Sequence, residues 1–171
     1  MDDLIYNQRE IPKDRWRYGF RTSAATGCGW IATYNALRLM RYRAEPEDLI
    51  RYYERQLPLV HGNAGTTIPG PAVFFLQQGF GVEMTAKRGE FDAMVRESDV
   101  AILFYRWRRK WKFGAHFVTV RWDGTGFKGY NTFRNSRGPD DYGQSLAEFL
   151  KKQGYFGPVL MGIRDKRRKE P

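Results

Sequence analysis

Residues 113–133 read FGAHFVTVRWDGTGFKGYNTF, and this stretch decides the architecture. Aromatic and β-branched residues crowd both sides of Asp123-Gly124, the pattern of two strands joined by a tight turn. Asp-Gly favours a two-residue type I′ connection, because both turn residues must take positive φ. On that reading the strand over 113–122 pairs with one over 125–133. Trp122 then faces Thr125, and His116 stands directly across the sheet from Asn131. Opposed residues share a face, with Cβ atoms roughly 4.5–5.5 Å apart. A one-residue slip would separate them, so the pairing is a sharp expectation.

Working outward, further strands are expected over 82–86, 100–107 and 155–163. Small helices fit 91–97 and 144–153; the second has Leu146, Phe149 and Leu150 on its inner face and Gly154 as its stop. Upstream the period is helical. Residues 28–41 place Ile31, Tyr34 or Asn35, Arg38 and Leu39 in helical rows. Pro46 followed by Glu47-Asp48 opens another helix, since proline suits a first turn and carboxylates suit the positive helix end. Its inner face is Leu49, Ile50, Tyr53 and Leu57. A Gly/Pro-rich loop covers 58–71, and a short helix over 72–78 ends at Gly79. Helices first and a mostly antiparallel sheet afterwards predict an α+β domain with segregated layers. One domain is expected over 1–163, followed by a basic, solvated tail over 164–171.

Composition excludes several classes. A chain of 171 residues that is 42% hydrophobic can build one core without metals or disulfides. A lone cysteine rules out a disulfide framework and any zinc cluster made from paired thiolates. No apolar run approaches the roughly 18 residues of a membrane span. The acidic start Met1-Asp2-Asp3-Leu4 is unlike a secretory signal. As given, the chain reads as soluble and cytosolic, with export not excluded.

The net charge of +10 speaks to partners rather than fold. Arg106-Trp107-Arg108-Arg109-Lys110-Trp111-Lys112 concentrates it. Aromatics among cations can stack on bases beside phosphates. The segment also fits a hairpin connection whose tryptophans pack inward while its charges face water. No recognised nucleic-acid module surrounds it, which argues against nucleic acid and leaves acidic peptides, polymers or protein surfaces.

If the protein uses thiol chemistry, Cys28 must supply it. Gly27-Cys28-Gly29-Trp30 puts the thiol in the first turn of the first long helix, where unpaired N–H groups and the helix dipole favour a thiolate. The alternative is a small buried hydrophobe. Glycines on both sides permit close approach of another backbone, such as a bound peptide. The chain has two histidines, His61 and His116. His61 sits in a polar loop and reads as solvated. His116 sits in a strand opposite Asn131, whose amide can accept from the imidazole and hold one tautomer toward the thiol.

These residues resemble the papain-like cysteine peptidases, and more closely the double-glycine (bacteriocin leader) peptidases and their stand-alone bacterial relatives. Tyr6-Asn7-Gln8-Arg9-Glu10 is similar to that family's early segment, whose glutamine lines the oxyanion hole. Residues 18–29, ending in Gly27-Cys28-Gly29, resemble the approach to its nucleophile helix. Ala115-His116-Phe117-Val118-Thr119-Val120 and Gly129-Tyr130-Asn131 resemble its histidine strand and the strand after it. Trp30 stands where those relatives carry proline, and Asn131 where many carry aspartate, although papain itself uses asparagine. The resemblance implies a papain-like fold and a thiol hydrolase in which Cys28 attacks, His116 transfers the proton, and Asn131 orients His116. Gln8 and the Cys28 N–H would stabilise the oxyanion, with Thr22 or Ser23 as poorer donors. Gly27, Gly29, Trp30, Gly114 and Ala115 would border the substrate, a peptide or protein. No metal or organic cofactor is implied. The same triad serves deamidases and amide transferases. A binding module that uses residues 106–112, with Cys28 incidental, is the reading from a different class.

Overall fold

A computed structural model describes residues 4–55, 65–135 and 137–167. His61 and Leu57, both singled out above, lie outside the described residues. A two-stranded hairpin, β1 (Arg17–Tyr18) and β2 (Arg21–Thr22), turns at Gly19, which takes φ 60°. Four helices follow: α1 (Ser23–Thr26), α2 (Cys28–Leu39), α3 (Pro46–Arg55) and α4 (Gly70–Gln77). Then come β3 (Gly81–Thr85), α5 (Phe91–Arg96), β4 (Val100–Arg109), β5 (Lys112–Trp122), β6 (Phe127–Tyr130), β7 (Asp140–Asp141), α6 (Leu146–Gln153) and β8 (Phe156–Arg164). Strands β3 to β8 form one antiparallel sheet in the order β3-β8-β4-β5-β6-β7. The chain is therefore α+β, with the early helices and the later sheet expected from sequence.

The sheet is apolar on both faces, and this corrects the simple two-layer expectation. Alternation along β4 sends Val100, Ile102 and Phe104 to one face, where Phe117, Met161 and Ile163 meet Trp30, Ile31 and Phe75 from the helices. Ala101, Leu103 and Tyr105 point the other way, with Val118, Val120, Phe127 and Leu160. Phe91 and Val95 of α5 and Leu146, Phe149 and Leu150 of α6 cover that second face. Helix α6 starts two residues later than expected, after Ser145, whose hydroxyl accepts from Glu148 N, and Gly154 ends it as expected, at φ 68°. Among the described residues, no helix is long and apolar enough to cross a membrane.

The Asp123-Gly124 turn is wider than expected. Trp122 pairs with Phe127 rather than Thr125, so four residues, 123–126, make the connection. Asp123 causes this. Its Oδ1 accepts from Thr125 N at 2.8 Å, Thr125 Oγ1 at 2.7 Å and Gly126 N at 2.9 Å, an Asx-type closure that competes with the two-residue turn. Those donors hold the carboxyl at a pKa of about 2. The register moves by two residues, which preserves the face of every side chain but changes its opposite number. The β6 strand then ends at Tyr130, short of the expected 133, because Asn131 adopts φ 63°.

The basic segment 106–112 is the tip of the β4–β5 hairpin, turning at Lys110-Trp111, with Lys110 at φ 51°. Trp107 packs inward over Gly114, as the hairpin alternative anticipates, whereas Trp111 is 94% exposed. The basic end of the chain departs from the solvated-tail expectation where it is described. Arg164 belongs to β8 and pairs with Glu97 at 3.2 Å, and the Arg167 guanidinium lies 4.4 Å from the centre of the Phe80 ring.

At Gly129 in β6, a Cβ would fall 2.2 Å from Tyr142 Cζ. Gly129→Ala must push a buried ring and is expected to cost about 1–3 kcal/mol. Thermal denaturation should show a fall at roughly 2–4 °C per kcal/mol. An unchanged melting temperature would contradict this packing.

Candidate active site

Gln8, a buried residue opening a short 3₁₀ turn (Gln8–Glu10), meets Asn131 at the end of β6. Gln8 N donates to Asn131 Oδ1 and Asn131 Nδ2 donates to Gln8 Oε1, each at 2.9 Å. Gln8 Nε2 reaches on to Ala24 O in α1 at 3.1 Å, four residues before the thiol. These bonds consume both polar atoms of the Asn131 side chain. The imidazole is therefore held by a different group from the one expected. His116 Nε2 lies 2.7 Å from the main-chain carbonyl oxygen of Asn131. A carbonyl only accepts, so Nε2 carries the proton and Nδ1 keeps its lone pair. The positive φ of Asn131 swings that carbonyl out of the strand ladder, and asparagine tolerates this backbone better than most residues.

His116 is buried, and its ring is sandwiched by aromatics. Phe133 stacks on it at 4.3 Å and the Tyr105 edge stands 6.0 Å away. Extending the shifted register past Tyr130 would set His116 opposite Phe133, which is the ring it touches.

Cys28 opens α2 after Gly27. The amides of Phe117, one residue on from His116, and of Cys28 and Gly29 at the helix start favour the thiolate form of its sulfur. Cys28 and His116 belong to opposite sides of the sheet. Thr119 Oγ1 donates to Ala32 O at 2.8 Å, pinning α2 to one face of β5, while His116 roots on the other face beside Tyr105. Past the end of β6, whose last pairing is Thr119 with Tyr130, the Phe117 amide of β5 acts on the Cys28 sulfur.

The electrostatics differ from a preformed ion pair. The helix-end amides do favour a thiolate, as expected, but burial outweighs them and raises the Cys28 pKa. Burial, with the Arg9 charge as a smaller contribution, lowers the His116 pKa to about 4, against the favourable Asn131 carbonyl. The resting pair is thiol and neutral imidazole.

The flanking residues read as substrate-bordering need correction. A Cβ at Gly29 would lie 2.2 Å from Thr66 Oγ1, and one at Gly27 would lie 2.6 Å from Ser23 O and from Trp30 Nε1. The chain's own side chains and backbone, not a ligand, require these glycines. Trp30 is fully buried and donates to Ser23 Oγ at 3.2 Å, so it presents no surface to a substrate. Gly114 lies under the Trp107 indole, and Ala115 beside it is exposed. Thr22 and Ser23 cap and begin α1, with Ser23 buried under Trp30. Tyr105 was missed from sequence, because a strand tyrosine carries no mark of touching a histidine. No family model matches the chain, and no curated protein matches it.

The lowered His116 pKa sets a pH window. The unfolded imidazole takes a proton near pH 6.5 and the folded one near 4, so stability is full above 6.5 and falls as pH drops toward 4. The His116 contribution to that slope is at most about 1.4 kcal/mol per pH unit. Denaturant titrations of wild type and His116→Gln should diverge between pH 6.5 and 5. Parallel curves would mean that His116 titrates normally.

Proposed function

We propose that this protein is a thiol hydrolase of papain-like design that opens peptide or isopeptide bonds through an acyl-Cys28 intermediate. The observation that carries this is the Gln8–Asn131–His116 network, together with the Phe117 amide, one residue on from His116, acting on the Cys28 sulfur at a helix start. Residues far apart in sequence, singled out for one chemistry, are gathered at one point by hydrogen bonds that hydrophobic packing alone does not require.

In the proposed reaction, His116 Nδ1 takes the thiol proton as Cys28 sulfur forms its bond to the carbonyl carbon. The C–N bond then breaks, and the imidazolium returns the proton to the leaving amine. Water, deprotonated by His116, opens the thioester to give a carboxylic acid and the free thiol. A base with a pKa of about 4 is fully unprotonated near neutrality, so it is always available but weakly basic. The Cys28 N–H and the second Nε2 proton of Gln8 are assigned to the oxyanion. Asn131 positions the imidazole with its carbonyl, so an aspartate there would keep that bond while disturbing Gln8. A deamidase or amide transferase would use the same acyl-enzyme with a different donor or acceptor.

A second reading rests on the hairpin tip. Trp111 and Phe113 are 94% and 84% exposed among the cations of segment 106–112, which suits a binding module for an acidic partner.

Incubation with a diverse peptide library, read by mass spectrometry, separates these. Wild type is expected to cleave a subset of peptides. Cys28→Ala and His116→Gln should each abolish cleavage with folding intact, and Gln8→Ala should slow it about 10²–10³-fold. Cleavage that survives Cys28→Ala would sink the hydrolase reading. Partner binding that falls steeply with salt and ignores Cys28→Ala would favour the module.

A further inference from the structure

A cavity of about 310 Å³ lies against the His116 side of the sheet. Its floor is aromatic and buried, formed by Tyr105, Tyr142 and Phe149. Its rim is cationic: Arg9, Arg109, Lys112 and Arg134, all exposed. No carboxylate lines it among the described residues. Asp140 acts electrostatically on Tyr142 without lining the space, and Arg134 acts on the same ring with the opposite sign. Arg9 lies over the Phe133 ring at 4.1 Å, and Arg134 faces Phe149 at 5.7 Å while donating to Gln153 Oε1 at 3.1 Å. Both guanidinium groups are thus oriented on aromatic faces and amide oxygen rather than neutralised by an acid. Two of the rings around the cavity, Tyr105 and Phe133, are the ones that contact His116.

We infer that this cavity is a binding site for a carboxylate-bearing aromatic group. The aromatic floor would take the ring and the rim cations the charge. Four uncompensated cations around a desolvated aromatic pocket repel one another, and a monoanion relieves that repulsion while its ring gains stacking and apolar burial. A ligand lacking either part gives up one source of affinity. As a binding site this is independent of the hydrolase reading. As the pocket for an acidic or C-terminal aromatic residue of a substrate, it rests on that reading.

The test uses the full chain carrying Cys28→Ala, so that binding is read without turnover. The probes are benzoate, phenylacetate and their neutral amides, and the readouts are titration calorimetry and the His116 ring resonances. The carboxylates are expected to bind at least tenfold more tightly than the amides and to shift the His116 signals. Arg9→Gln and Arg134→Gln should each weaken them several-fold, with the fold checked by circular dichroism. Equal affinity for carboxylate and amide, or binding indifferent to both arginine changes, would overturn the site. So would tight carboxylate binding that leaves the His116 signals unmoved. If the carboxylates bind as expected in a protein that cleaves nothing in the peptide library, the hydrolase reading fails while the site stands.

Discussion

The reciprocal pair of hydrogen bonds between Gln8 and Asn131 is the constraint on which the candidate site depends. It closes a loop between the start of the chain and the end of β6, in a place from which water is excluded. A buried amide left without its partner costs about 1–3 kcal/mol, so each residue enforces the position of the other. Three consequences follow. The Asn131 side chain is committed to Gln8, so its backbone carbonyl is what faces His116. The asparagine holds a positive φ, which ends β6 and opens the sheet edge where Cys28 arrives. Gln8, held on one side, ties the other end of its amide to α1 and so to the approach to the Cys28 helix.

Desolvation dominates the charges at this site. It works in the same direction on both groups, disfavouring thiolate and imidazolium alike. Helix-start amides and the Phe117 N–H oppose it at the sulfur, and the Asn131 carbonyl opposes it at the ring, but neither prevails. Near neutrality both groups therefore rest uncharged. In the proposed reaction charge would separate only as a bond forms at the sulfur, as in a hydroxyl–imidazole couple. The aromatic rings around His116 supply the dry surroundings that make this so, at the cost of a weaker base.

Much of this was legible from sequence, for identifiable reasons. Strand and helix periods report burial directly, so α2, α5, α6, β4 and β5 follow from their apolar rows. The expected cross-strand pair of His116 with the Asn131 side chain does not form; the two residues meet instead through the Asn131 main-chain carbonyl, by a route that sequence conceals. The Asp123 side chain captures three donors and widens the turn, a choice that the Asp-Gly dipeptide does not reveal. The resulting two-residue shift spared the face assignment because the strand period is two. Gly27 and Gly29 were readable as positions needing no side chain, but not as positions filled by Trp30 and Thr66, which are contacts set only by tertiary packing. The second layer of helices over Tyr105 and Val118 was equally hidden. Strands buried on both faces differ from half-exposed ones only in the missing polar alternation, and the sequence from Val100 to Tyr105 shows that in hindsight.

The central claim is that the Cys28 thiol and the neutral His116 imidazole act as one unit. The rate of iodoacetamide alkylation against pH, followed by intact mass, tests it most directly, because the only thiol in the chain is the one in question. Wild type is predicted to show a reactive component below pH 7 that rises with deprotonation of a group of pKa about 4 and is missing from His116→Gln, beneath the main rise of a thiol titrating above its ordinary range. Superimposable profiles for the two proteins would contradict the account, leaving Cys28 a structural thiol at a helix start.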